Sequence, residues 1–282
     1  MSLKEETKVF ADYLRKKYLG TPKEASKKII SAYEKENGEI SESSLRENFS
    51  VILAEILRNQ ARLYKVACQT IEEKWLEHLN DDDSFNEKLK NYKSISLRLT
   101  EVINSDKKID DKKKEIIQLL APIQRSLAIS NNQAGKQRAG SAFEYHIENL
   151  LEKLGFEFET QVTPERLQEK FDFIFPSKEK FEIYPNVCML CEAQTTLKDR
   201  FRLTQGKAST VQTNKYLFTA AGTDIIRDAT NDFTEGKLNE IQSKGVTLVV
   251  FKEAKEEWNH NTMRSFEEFI QIEYPSQASR WN

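Results

Sequence analysis

Apolar residues recur at helical spacing through the first part of the chain. Phe49, Ile52, Leu53, Ile56 and Leu57 mark the clearest run and predict a helix over 45–79. Ser44 and Glu47 form a capping-box pattern at its start, and Asp81-Asp82-Asp83-Ser84 would end it. A helical hairpin follows over 95–103 and 116–129. The charge run Asp106-Lys107-Lys108-Ile109-Asp110-Asp111-Lys112-Lys113-Lys114 between its arms reads as a solvated turn and helix start. The texture changes at Ser130-Asn131-Asn132-Gln133-Ala134-Gly135-Lys136-Gln137-Arg138-Ala139-Gly140, which is polar, carries two glycines and reads as a junction or exposed loop. Beyond it, Phe143, Ile147, Leu150, Leu151 and Leu154 place a helix over 141–154. Strands are expected at 156–162, 171–175, 181–184 and 187–194, then helix 197–211, strand 215–219, helix 225–241 and strand 246–251. This order predicts an α/β (α+β) domain over 131–282, a mixed sheet flanked by helices, preceded by an all-helical domain over 1–130.

Composition narrows the classes. The chain has 282 residues, 38% hydrophobic and 31% charged, as in a soluble globular protein of one or two domains. Its 43 basic and 45 acidic residues give a net charge of -2, so any surface for nucleic acid must be a local patch rather than a global positive field. The three cysteines exclude a disulfide framework and fit a reducing cytoplasm. Cys188-Met189-Leu190-Cys191 is formally C-x-x-C, but on a strand residues three apart face opposite sides, so the thiols read as small buried side chains. The N-terminal residues lack a signal-peptide core, and no apolar run has transmembrane length.

The chemistry concentrates in two places. Asp172 sits among aromatics in Lys170-Phe171-Asp172-Phe173-Ile174-Phe175-Pro176. A carboxylate there is costly to bury unless it is paired or binds a metal, and on an edge strand it would simply face water. Glu192 and Gln194 share one face of the strand over 187–194, and Cys188 and Leu190 keep that face apolar until its end. Two strands each bearing an acid can hold a divalent ion between them, and oxygen ligands of that sort suit Mg²⁺. The strand then runs into a basic segment, Lys198-Asp199-Arg200-Phe201-Arg202.

Asp172 followed by Glu192-Ala193-Gln194 resembles the P-D…(D/E)-x-K pattern of the restriction-endonuclease superfamily. Three blocks narrow the resemblance: Arg138-Ala139-Gly140-Ser141-Ala142-Phe143-Glu144-Tyr145-His146, Phe171-Asp172-Phe173-Ile174-Phe175-Pro176, and Gln194-Thr195-Thr196-Leu197-Lys198-Asp199-Arg200-Phe201-Arg202. Together they are similar to the EcoRII-like and CCGG-reading type II restriction enzymes, over roughly 131–251. Enzymes of the BsaWI and AgeI sort are candidates, although no residue fixes the outer bases of a site. The resemblance implies that Glu144, on the helix before the strands, belongs to the active site. Ser141-x-x-Glu144 is alternatively a helix capping box. The departure is at Gln194, where the family usually has lysine. The position on the following helix that usually bears an acid is here Lys207. The two charges look exchanged. Lys207 lies about two helical turns beyond Arg200, so both can share one face.

The chemistry that follows is Mg²⁺ held by Asp172 and Glu192, with Lys207 positioning water and offsetting phosphate charge, and Glu144 binding a second metal or orienting water. The products implied are a 5′-phosphate and a 3′-hydroxyl. Lys198, Asp199 and Arg200 would read G·C pairs of a CC/GG core in double-stranded DNA. As a plain helix start, Thr196 would instead cap and Asp199 would sit at the third position. Arg202, with Arg138 and Lys136, would contact phosphates. A palindromic target implies a homodimer or higher homo-oligomer, a tetramer included, with the helical residues dimerising or flanking DNA. The rival expectations are a DNA-binding protein disabled by Gln194 and a repair or structure-selective nuclease.

Overall fold

In a computed structural model the structure describes residues 2–75, 77, 90–197, 211–223 and 232–281. It divides into two compact units, one of residues 1–25 and 61–138, the other of 26–60 and 139–282. Helices α2 (Pro22–Asn37), α3 (Glu42–Lys74) and α5 (Ile109–Lys153) contribute residues to both.

The first unit is helical. It holds α1 (Leu3–Leu19), the later part of α3, α4 (Lys90–Asn104) and the earlier part of α5. Phe10, Ala11, Leu14, Ile71, Trp75, Tyr92, Ile123 and Leu127 are its buried core. The buried carboxylate of Glu6 on α1 accepts from the backbone N–H of Asn91 (2.9 Å) and of Tyr92 (3.2 Å), so it satisfies donors in the first turn of α4.

The second unit is built on one sheet. Its described strands are β1 (Glu159–Val162), β2 (Phe171–Phe175), β3 (Met189–Gln194), β4 (Asn214–Thr219), β5 (Val246–Val250) and β6 (Met263–Ser265), hydrogen-bonded in that order. The first two pairings are antiparallel and the remaining three parallel. Alternation along each strand feeds two cores. Phe173, Phe175, Cys191, Tyr216 and Phe218 pack on one side with Phe49, Leu53, Phe143 and Leu150. Ile174, Cys188, Leu190, Leu217 and Leu248 pack on the other with Phe181, Leu238 and Ile241. Cys188, which follows a 3-10 turn (Pro185–Val187) directly before β3, and Cys191 on β3 thus stand in opposite cores, as alternation along an extended segment requires. The mixed sheet with helices on both faces is the α/β architecture expected from the sequence. Among the described residues no helix is long and apolar enough to cross a membrane.

Three local expectations are corrected. Residues 130–140 are not a loop but the interior of α5. The segment read as a strand at 181–184 belongs to a short helix, α6 (Lys178–Ile183), whose N-cap Ser177 accepts from Lys180 N–H. Its Phe181 alternates with polar neighbours but buries by itself, which is why strand and helix patterns look alike there. Helix α3 begins at Glu42, with Ser41 Oγ accepting from Ser44 N–H, so Ser44 lies inside the helix and Ser44-x-x-Glu47 is not its cap.

A buried polar network joins α2, α3 and α5 within the second unit. His146 Nε2 meets Gln60 Oε1 at 2.7 Å, and its Nδ1 meets Ser26 Oγ at 2.8 Å, which also accepts from Asn149 Nδ2. With Gln60 Oε1 as acceptor the proton sits on Nε2 and Ser26 donates to Nδ1. Burial pushes the His146 pKa down to about 3 from its ordinary 6.5. Between those values the unfolded chain binds a proton that the folded chain refuses. Folding stability should therefore fall by about 1.4 kcal/mol per pH unit from this group as pH drops below 6.5. Urea unfolding from pH 7 to pH 4 checks this, and the slope should flatten in His146→Gln.

Candidate active site

Strands β2 and β3 bring the candidate residues into one row. Phe173 pairs with Cys191 and Ile174 with Leu190, so Asp172 falls opposite Glu192. Both side chains lie on the face that carries Ile174, Leu190 and Leu217. Both are buried, Glu192 fully and Asp172 to within 6%. Strand β2 has neighbours on both sides, so Asp172 is not the solvated edge residue that the sequence also allowed. Its Oδ2 accepts from Ala193 N–H at 2.9 Å, which fixes the carboxylate across the β2–β3 ladder. The Asp172 charge and burial together hold the Cys191 thiol well above its ordinary pKa, burial being the larger cause.

Beyond Glu192 stands Gln194, paired in register with Thr219 of the parallel strand β4. Its Nε2 approaches Glu192 Oε2 at 3.5 Å. Its Oε1 is buried and has no hydrogen-bond partner among the described residues. The row therefore ends at the C-terminal edge of the parallel strands, where α/β sheets place their ligands. Just past it, Leu197 N–H donates to Oδ2 of the buried Asp232 at 2.9 Å, and Lys237 Nζ donates to the Asp232 carbonyl at 3.0 Å. Asp232 ties down the residue immediately before the basic segment. Nothing in the sequence around it signals this, because the contact joins positions distant along the chain.

Glu144 joins the same site through a residue that sequence reasoning missed. Because α5 is continuous across Ser141, the capping box available to Glu144 in the sequence does not exist, and its carboxylate is turned to another use. Gln161 Nε2 donates to Glu144 Oε2 at 3.0 Å and to Asp172 Oδ1 at 3.2 Å. Arg138 lies in the first unit, where its half-buried guanidinium donates to the Gly20 carbonyl at 2.9 Å and burial lowers its pKa. Lys198, Asp199, Arg200, Arg202 and Lys207 lie outside the described residues.

The donor set fits a hard divalent cation. Asp172, Glu192 and the amide oxygen of Gln194 are all oxygen donors on one strip of sheet. Mg²⁺ needs only one or two carboxylates because substrate and water complete its shell. Among the described residues no group of three or more His, Cys, Asp or Glu side chains forms a metal site by itself.

A mixed sheet flanked by helices, with paired acids at the end of its central strands, defines a restriction-endonuclease fold. Two solved structures share it over nearly the whole chain. They are metal-depleted Ecl18kI in complex with uncleaved DNA (21% identity, TM-score 0.75, 100% of this chain and 87% of that one) and with uncleaved, modified DNA (20% identity, TM-score 0.75, 99% and 86%). The restriction endonuclease PspGI–substrate DNA complex is a more distant relative (15% identity, TM-score 0.56, 92% and 96%). No curated protein matches the sequence. The family described as "EcoRII C terminal" matches residues 121–270, more than half of the chain, and the chain belongs to that family. It is a type II restriction endonuclease, a site-specific deoxyribonuclease.

Proposed function

We propose that the enzyme is Mg²⁺-dependent and cuts both strands of DNA at a short palindrome with a CC/GG core. The observation that carries this is the register placing Asp172 opposite Glu192, both buried, at the edge where a phosphate can approach. These two carboxylates hold the metal. When bound there, Mg²⁺ supplies Lewis-acid activation of water and offsets charge developing on the phosphate. Glu144 orients water or supports a second ion, and Lys207 positions the attacking water. Two neighbours of the same fold hold uncleaved DNA in a metal-depleted state, which supports the metal requirement.

Lys198, Asp199 and Arg200 read the bases, since arginine and lysine suit guanine O6 and N7 and an aspartate accepts from cytosine N4. Arg202 and Arg138 contact phosphates. Asp232 supports this assignment by anchoring Leu197 directly before the readers. A palindrome calls for a homodimer at least, with helical residues before 131 dimerising or flanking the DNA and 131–282 carrying the nuclease. The cysteine usage suits a cytoplasmic enzyme.

Incubating plasmid with the protein, in Mg²⁺ or EDTA, and sequencing the ends tests all of this at once. Discrete fragments that require Mg²⁺ and end in a common CC/GG site are expected. Mg²⁺-dependent nicking or degradation with no common end sequence would overturn the site-specific reading in favour of a structure-selective nuclease. Equal cutting in EDTA would remove the metal.

A further inference from the structure

Gln161 does two unusual things together. Its backbone sits in the left-handed region, at φ 56°, inside strand β1. A residue with a Cβ is rarely held there, and such positions persist only where surrounding contacts over-determine them. Its side-chain amide meanwhile donates to carboxylates from two different elements, Glu144 on α5 and Asp172 on β2. Thr160 pairs with Phe173 and Val162 with Phe171, so Gln161 falls opposite Asp172, which in turn faces Glu192. The twist at Gln161 breaks the ladder in the row that carries the acids.

Resting on the metal-dependent reading above, we propose that Gln161 is the positioning residue of the metal site, holding Glu144 and Asp172 convergent without neutralising them. The physical reason lies in the choice of an amide. A lysine or arginine would hold two carboxylates more tightly, but its charge would oppose the entry of a divalent cation. An amide has two N–H donors and no net charge. It can restrict both carboxylates while their negative charge remains to draw in the metal. Residues of this kind behind a metal ligand commonly change metal affinity by about 10–100-fold when removed.

The strained backbone makes the test sharp. Gln161→Gly removes the amide and also relieves the left-handed φ, so the variant should melt at or above the wild-type temperature. Binding of Mn²⁺ alone to the full chain, followed by the loss of the free-ion paramagnetic signal, is read without any cleavage. Gln161→Gly should bind Mn²⁺ at least about tenfold more weakly. Gln161→Lys should bind it more weakly still. Gln161→Asn, which tolerates the left-handed region and keeps an amide, should recover part of the affinity. Unchanged Mn²⁺ affinity in a folded Gln161→Gly protein would overturn the role of Gln161 while leaving the metal site standing. A wild-type chain that binds no Mn²⁺ would instead remove the metal reading itself, and this inference with it.

Discussion

Glu192→Gln should reduce DNA cleavage by at least about a thousandfold, a loss of roughly 4 kcal/mol in transition-state stabilisation, while the protein stays folded and still retains its DNA site. The side chain is fully buried on β3, and glutamine has nearly its volume, so packing against the neighbouring strands survives. What is lost is one of the two carboxylates, the proposed metal ligands, that face each other across β2 and β3. Mn²⁺ affinity should fall in parallel with the rate, which separates loss of a ligand from loss of fold. Asp172→Asn should be equally inactive but less stable. Asp172 accepts from Ala193 N–H and from Gln161 Nε2, and an asparagine must turn its own NH₂ toward one of those donors. Plasmid cleavage and thermal melts on both variants check the pair. Cleavage within tenfold of wild type for Glu192→Gln would take Glu192 out of the active site.

The two acids were legible in the sequence because strand periodicity is strict. Glu192 and Gln194 had to share a face, and Asp172 stood alone among aromatics, but that Asp172 falls opposite Glu192 came only with the β2–β3 register. Cys188 and Cys191 were legible for the same reason. The continuity of α5 was not. Its polar stretch looks like a linker because Asn131, Gly135 and Arg138 are polar or small, yet each is used internally. Asn131 is buried and accepts from Arg15 at 2.9 Å, and its carbonyl accepts from Tyr64 O–H at 2.6 Å. A Cβ on Gly135 would come within 3.0 Å of the Tyr64 ring, so the glycine serves close approach rather than a turn. Polar residues that pair with distant polar residues cannot be told from solvated ones in a single sequence. Gln161 was hidden for a further reason. Its importance rests on a backbone angle and an amide shared between two carboxylates, and nothing in Thr160-Gln161-Val162 encodes either at the level of pattern. Glu144 was partly legible, but its rival explanation as a capping residue fell only when Ser141 proved to lie inside a helix.

Lys207→Ala should lower cleavage by about a hundred- to a thousandfold, some 3–4 kcal/mol, with specific retention of DNA largely intact. The basis is a matched loss and gain. Gln194 occupies the strand position where the resemblance implies a lysine, and Lys207 the later position where it implies an acid. In the structure Gln194 lies beside Glu192 and brings no cation to the row of acids, so a positive group that orients water must come from elsewhere. Gln194→Ala alone should be mild, less than about tenfold, since among the described residues the amide makes only a long contact with Glu192. The decisive variant is Gln194→Lys placed in the Lys207→Ala background. A lysine restored to β3 beside Glu192 would present its ammonium to the same water from the strand instead of from position 207, and should recover at least tenfold of the lost rate. Single and double variants form a thermodynamic cycle, and a large favourable coupling between the two positions is the signature of one function that has moved. Full activity of Lys207→Ala would exclude Lys207. A dead double variant would exclude the exchange, and a Gln194→Ala loss equal to that of Lys207→Ala would assign the work to the Gln194 amide, whose oxygen stands buried at the end of the row.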